Sequence, residues 1–197
     1  SKTVEFCNKY KFDGIDLDFE DISVDVDYLN SYIDEIRKLD NKLFITAAPQ
    51  IASTAKGEAA FQPSKIFTKE FLDAAALTAV FVQEYNQRGG AVFNQLQDTD
   101  VGFISASFTP LTKLVPTNTK IIVGEPANKV AAPAGGLFNP VDVVNDIING
   151  EIVLNSHHYG GIMVWAINYD SEQNWSFSNG VQAVVEQIKI KKLALDE

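Results

Sequence analysis

Asp16, Asp18 and Glu20 are the residues of this chain best suited to chemistry. They alternate with Ile15, Leu17 and Phe19 inside the run Phe-Asp-Gly-Ile-Asp-Leu-Asp-Phe-Glu-Asp at residues 12–21. In a strand, alternate side chains share a face, so the three acids project together and the three apolar groups project the other way. No Lys or Arg lies between residues 12 and 36 to neutralise them. Side chains at i and i+2 sit about 6–7 Å apart. Two unit charges at that separation repel by about 2.5 kcal/mol at an effective dielectric near 20. The set is therefore expected to keep a proton near neutral pH. A protonated acid beside a carboxylate suits glycoside cleavage or other acid–base catalysis. Acid stacks on strands also bind metals, so spacing alone leaves both uses open. An EF-hand loop does not fit: counted from Asp16, its sixth and twelfth positions hold Asp21 and Asp27, where that loop needs Gly and Glu.

The acids need a strand, and the strand needs neighbours. Residues 1–10 read as the end of a helix with Val4, Phe6, Cys7 and Tyr10 available to pack, and residues 12–20 as the first strand. Asp25 to Asp27 supply an N-cap and early negative charge for a helix carrying Leu29, Tyr32, Ile33, Ile36 and Leu39 at helical spacing. Residues 43–48 form a second strand, and 50–65 a polar loop. Thr68 caps a helix with Phe71, Leu72 and Ala75. A third strand at 79–85, a helix at 98–114 and a fourth strand at 120–124 follow. Asn139 and Pro140 are a cap and a first-turn proline for a helix to residue 149. A fifth strand at 161–167 and a helix at 179–193 complete the pattern. Lys189, Lys191 and Lys192 read as a solvated face of that helix.

Composition narrows the function. At 197 residues and 46% hydrophobic, the chain is long enough for one sizeable core. A net charge of −10 argues against a nucleic-acid partner and fits a neutral or cationic substrate. No run of 18 apolar residues occurs, so no membrane span is expected, and residues 1–20 lack a signal-peptide pattern. Cys7 is the only cysteine, so an internal disulfide is excluded. His157 and His158 have no third ligand at metal spacing and read as exposed loop histidines. No G-x-S-x-G supports a serine hydrolase, and the lone Met163 reads as core.

A helix followed by five strand–helix repeats implies a parallel sheet with crossover helices. A doubly wound sheet and an eight-stranded α/β barrel compete. No Gly-rich phosphate loop supports the first. Glu20, Gln50, Tyr85, Asn86, Glu125, Trp165 and Asn168 gather at strand C-termini, where barrel enzymes place their sites. Five strands against the eight of a barrel lead us to expect about three further strand–helix units on the N-terminal side.

Asp13-Gly-Ile-Asp16-Leu-Asp18-Phe-Glu20 resembles the DGxDxDxE signature of family 18 glycoside hydrolases, the chitinases. Thr46-Ala-Ala-Pro49-Gln50 resembles the strand after that signature in bacterial and plant-type members. Val82-Gln83-Glu84-Tyr85-Asn86 resembles their Q-x-Y-N strand, Gly124-Glu125-Pro126-Ala127 their G-L-P-A segment, and residues 161–170 their last strand with its floor tryptophan, Trp165. The resemblance implies an α/β fold, a (β/α)8 TIM barrel present as about strands 4 to 8, with residues 1–197 as the C-terminal part of the catalytic domain. It implies that Glu20 is the general acid, that Asp18 orients a substrate N-acetyl group acting as nucleophile, and that Asp16 shares a proton with Asp18. Tyr85 would hydrogen-bond the acetamido carbonyl. Gln83 and Asn86, with Gln50, would line the sugar site, and Trp165 would face the sugar ring. Asp13, of odd parity, would be structural.

The implied substrate is chitin or N-acetylglucosamine oligosaccharides, with no metal or organic cofactor, no nucleic acid and no membrane partner, in a secreted protein. Two rivals share the scaffold: an inactive carbohydrate-binding or inhibitor protein, and an endo-β-N-acetylglucosaminidase acting on N-glycans. Retention of all three acids weighs against the first. Glu125 departs from the usual Leu, and its role is open. A shortened barrel is expected to bind poorly or be inactive alone, and to self-associate through its sheet edges.

Overall fold

Alternation of apolar and polar residues along short strands gives this chain a sheet with two unlike faces. The computed structural model describes residues 1–20, 23–150 and 155–195. In chain order the elements are α1 (Lys2–Tyr10), β1 (Gly14–Leu17), α2 (Val26–Leu39), β2 (Phe44–Ala47), β3 (Gln50–Ser53), β4 (Ala59–Gln62), α3 (Lys69–Ala75), β5 (Ala79–Gln83), α4 (Phe103–Leu114), β6 (Lys120–Pro126), α5 (Pro140–Asn149), β7 (Tyr159–Trp165), α6 (Ile167–Ser171) and α7 (Ser176–Leu195). Strands β1, β2, β5, β6 and β7 lie side by side, all parallel. The five parallel strands expected from the sequence are therefore present.

On one face, Ile45, Val80, Val82, Ile121 and Val123 are buried against the helices, which contribute Ile33, Ile36, Phe71, Phe108 and Ile147 to the same core. The opposite parity, with Asp16, Thr46, Phe81, Gln83 and Met163, faces a cleft. Parity alone thus decides which residues are structural and which are available. Among the described residues β1 pairs only with β2, and β7 only with β6, so the run of parallel strands has two unpaired edges.

Four expectations need correction. The first strand ends at Leu17 rather than running to residue 20. Residues 50–65 are not a polar loop: β3 and β4 form an antiparallel hairpin, with Gln50 of β3 set beside Gln83 of β5. The hairpin forms because Ile51 and Phe61 are buried, and because Thr54 closes its turn by accepting from Lys56 and Glu58 backbone N–H groups. The fifth strand covers Tyr159–Trp165, and Ile167 already opens α6.

The fourth correction concerns α4, which begins at Phe103 rather than at residue 98. Asp98 instead accepts from the Gln87 backbone N–H at 2.8 Å, holding the preceding loop. Gly102, with φ of 102°, offers α4 no side-chain cap. The cap comes from another helix. Asp146 of α5, buried, accepts from the N–H groups of Gly102 at 2.8 Å, Ile104 at 3.0 Å and Ser105 at 3.3 Å. Elsewhere the local signals hold: Asp25, Thr68 and Asn139 cap α2, α3 and α5 with their own side chains. Lys189 is exposed, whereas the side chains of Lys191 and Lys192 lie outside the described residues.

Because Asp146 serves three otherwise unpaired donors in a dry setting, Asp146→Ala is expected to cost about 3 kcal/mol of unfolding free energy. Urea denaturation measures it. A loss below about 0.5 kcal/mol would show that the first turn of α4 is held by packing alone.

Candidate active site

The acids at the end of β1 are positioned by the two strands that follow it across the sheet. Asp16 lies opposite Thr46 in the β1–β2 register, and the Thr46 hydroxyl donates to Asp16 Oδ1 at 2.5 Å. Beyond the strand, Asp18 and Glu20 meet the side chain of Gln83, which is buried on β5. Its amide nitrogen donates to the Ala48 carbonyl at 2.8 Å, to Glu20 Oε1 at 3.2 Å and to Asp18 Oδ1 at 3.3 Å. A primary amide has two hydrogens. The short bond to Ala48 orients the group, which leaves the other hydrogen between the two carboxylates. One neutral side chain thus draws Asp18 and Glu20 together without neutralising either.

Crowding of the acids has the expected electrostatic result. Partial burial of the Asp18 carboxyl, then the charge of Glu20, then that of Asp16, hold its pKa above the usual carboxylate value. Burial and crowding thus favour the protonated form of the central acid. Asp16, Asp18 and Glu20 are nonetheless all exposed. The reason is their place on or just beyond β1, an edge strand with a neighbour on one side only.

Opposite the acids stands Tyr85, only 3% exposed. Burial first, and then the charges of Asp18, Glu20 and Glu125, push its pKa well up. Its phenol is a neutral hydrogen-bond donor at any ordinary pH. Trp165 ends β7 with 44% of its surface exposed, so it is not a core residue. The two sides of the cleft enclose about 420 Å³, lined by Asp16, Asp18, Gln83, Tyr85, Met163 and Trp165 among others. A smaller recess of about 190 Å³ shares Asp18, Gln83, Tyr85 and Trp165 and adds Glu20, Gln50 and Asn86. All eight residues to which the resemblance gives a site role line one or other space. Asn86 also serves structure, since its Oδ1 accepts from the Ala134 N–H at 3.0 Å.

Other assignments change. Thr46 was quoted only as part of a motif, yet it holds Asp16; the parallel register that sets it opposite the acid is not visible in one sequence. Met163, read as core, lines the cleft. Glu125 is neither a loop residue nor a cleft residue: it lies within β6, fully buried on the helix-facing side. Asn168 sits in α6 and lines neither space. His158 is buried and its Nδ1 pairs with the Thr119 carbonyl at 2.9 Å, whereas His157 is exposed as expected. Among the described residues no three His, Cys, Asp or Glu side chains gather as a metal site would require.

No protein-family model matches the chain. It is 30% identical over 184 residues to a class III chitinase of Arthroderma benhamiae, a match covering 87% of this chain and 48% of that protein. It is 28% identical over 174 residues to endochitinase Ziz m 1.0101 of Ziziphus mauritiana, covering 85% and 49%. Among solved structures, a GH18 chitinase from Pseudoalteromonas aurantia superposes with a TM-score of 0.66 at 22% identity, over 94% of this chain and 64% of that one. The fold is also that of a xylanase and α-amylase inhibitor protein from Scadoxus multiflorus, with a TM-score of 0.60 at 21% identity over 84% of this chain and 55% of that one. A fungal endo-β-N-acetylglucosaminidase of glycosyl hydrolase family 18 gives 0.58 at 17% identity, over 83% and 52%. In sequence the chain is similar to these chitinases, and its sheet has the α/β fold of these solved structures. It spans about half the length of the curated relatives it matches.

The electrical contact among the acids is directly testable. Asp16→Asn removes one of the charges that raise the Asp18 pKa, so the Asp18 midpoint should fall in a carboxyl-carbon NMR titration. An unmoved midpoint would separate the two groups.

Proposed function

We propose that this chain carries the catalytic face of a retaining, substrate-assisted chitinase that hydrolyses β-1,4-linked N-acetylglucosamine polymers. The observation that supports it best is the shared Gln83 amide, which draws Asp18 and Glu20 together at a cleft walled by Tyr85 and Trp165. That arrangement offers a proton donor, a charge store and a neutral donor facing each other across a space of sugar size.

In this reading Glu20 protonates the glycosidic oxygen. The acetamido carbonyl oxygen of the substrate attacks the anomeric carbon from the opposite face, giving an oxazolinium intermediate. Family 18 enzymes are recognised exceptions to the rule that two protein carboxylates do this work. Asp18 holds the acetamido nitrogen, and its raised pKa lets it exchange a proton with Asp16 as charge builds on the ring. Tyr85 donates to the acetamido carbonyl. Glu20, now ionised, draws a proton from the water that opens the intermediate, so both displacements together retain configuration. Gln50, Gln83 and Asn86 line the sugar site, and Trp165 gives the ring an apolar face. The cycle as drawn places no step on a metal or organic cofactor.

We further propose that residues 1–197 are the C-terminal part of the catalytic domain, and that additional strand–helix units pair with β1 and β7 in the whole protein. Both edges support this, since each opens beside an apolar groove: Leu17, Phe19 and Leu29 at β1, and Ile162, Phe177 and Val181 at β7. Left uncovered, these edges would favour self-association. An insoluble extracellular polymer as substrate implies a secreted protein. Among the described residues no helix is long and apolar enough to cross a membrane.

The two rivals differ in measurable ways. A binding or inhibitor protein on this scaffold is favoured by the exposure of the acids, and would bind chitin oligomers without cleaving them. An N-glycan hydrolase would cleave the chitobiose core and spare chitin. In the full-length protein, Glu20→Gln is expected to lower turnover of chitin oligomers at least ~100-fold while binding persists; rates like wild type would remove Glu20 from the acid role. Trp165→Ala should weaken oligosaccharide binding about tenfold, or about 1.4 kcal/mol, by calorimetry. Unaltered affinity would limit Trp165 to shaping the strand end.

A further inference from the structure

Glu84 and Glu125 are fully buried, and the cleft does not use them. Glu125 lies on the helix-facing parity of β6, and Glu84, the residue after β5, turns to α4 through Ser107. The β5–β6 register pairs Gln83 with Gly124, so Glu84 and Glu125 follow as neighbours across strands about 4.8 Å apart. Glu84 Oε2 accepts from the Ser107 hydroxyl of α4 at 3.1 Å, and Glu125 Oε2 accepts from the Leu137 N–H at 3.0 Å. The remaining oxygen of each, Oε1, has no hydrogen-bond partner among the described residues. The charged groups facing the pair are Asp146 from α5 and Asp98 from the loop before α4, with the Tyr85 phenol beyond. All are acids.

Two ionised carboxylates cannot satisfy that arrangement. An ionised carboxylate only accepts, and a buried polar atom without a partner costs about 1–3 kcal/mol, more when charged. A proton on one carboxyl converts two idle acceptors into a donor and an acceptor. A cation could do the same, but no set of three ligating side chains surrounds the position among the described residues.

The pair is tied to the cleft. Glu125 holds Leu137, which ends a strap of residues 134–137. In the same strap Gly135 accepts from the Asn86 N–H at 2.9 Å, and Ala134 donates to Asn86 Oδ1 at 3.0 Å. Gly136, at φ of 151°, lies so close that a Cβ there would stand 2.9 Å from Tyr85 Cβ and 2.6 Å from the Pro126 ring. The strap therefore backs Tyr85 and Asn86 directly.

We infer that Glu84 and Glu125 share one proton and act as a latch: protonated, the pair holds the 134–137 strap against Tyr85; ionised, it repels itself and frees the strap. The proton passes to solvent. Glu84 and Glu125 are positioning residues in this scheme, and the inference stands whether or not the cleft takes a sugar. Burial above all raises both carboxyls well above the ordinary glutamate value of 4.5. The unfolded chain releases these protons around that value while the folded chain keeps one. Above about pH 4.5 the folded state thus binds more protons than the unfolded chain, and stability falls with rising pH until the latch has ionised.

Infrared difference spectra and amide exchange on the full chain test this. At neutral pH the wild type should show a carboxylic-acid carbonyl band that Glu84→Gln/Glu125→Gln removes. Protection of the Leu137 and Asn86 amides, corrected for intrinsic exchange, should drop at least about tenfold from acidic to alkaline pH in the wild type and stay level in the double variant. Absence of the band, pH-independent protection in the wild type, or protection that calcium restores and a chelator abolishes, would overturn the latch. If the double variant does not fold, a parallel titration of the band and of Leu137 protection in the wild type decides alone: coincident midpoints support it and separate midpoints refute it.

Discussion

The register of β5 against its neighbours is the constraint on which the rest depends. β5 pairs with β2 and β3 on one side and with β6 on the other. Because strand side chains alternate strictly, a slip of one residue would exchange its two faces. In the observed register Gln83 and Tyr85 meet the cleft, while Val80, Val82 and Glu84 meet the helices. The apolar members of the second set supply the energy that fixes the position of the first. Burial of Val80 and Val82 in the core thus sets where the Gln83 amide falls between Asp18 and Glu20, with no separate device for aligning the acids.

The sheet consequently sorts two sets of acids into opposite environments. Asp16, Asp18 and Glu20 face water, and their repulsion is moderated by solvent, by the Thr46 hydroxyl and by one amide. Glu84 and Glu125 face a dry core, where one oxygen of each accepts from Ser107 or Leu137 and the other has no partner among the described residues. The same side-chain chemistry thus meets water on one face, and on the other a dry core which, in the latch proposed above, favours a shared proton. Tyr85 lies between them and feels charge from both sides.

Much of this was legible in the residues. The period-two acids, the caps at Asp25, Thr68 and Asn139, and the strand–helix alternation are local signals, and local signals survive folding. All eight candidate residues line the two spaces because they sit at, or within a few residues of, the ends of neighbouring strands. What the sequence hid was non-local. The β3–β4 hairpin read as loop because its strands are four residues each and only Ile51 and Phe61 are deeply buried. The start of α4 was misjudged because its cap is borrowed from α5. Glu125 was unreadable because a glutamate at a strand end normally seeks water, and only the register shows it turned inward. The openness of the cleft followed from β1 being an edge, which is a property of the sheet and not of any residue in it.

The borrowed cap also bears on synthesis. Residues 102–105 receive their partner from residue 146, which leaves the ribosome about 40 residues later. At about 5–20 residues per second this is a delay of about 2–8 s. Over that interval the first turn of the nascent helix has no carboxylate to close it, and the apolar side of β5 has no settled cover. The segment between the two is the stretch of newborn chain where a chaperone would find most to hold, and translation speed there governs how long it stays on offer.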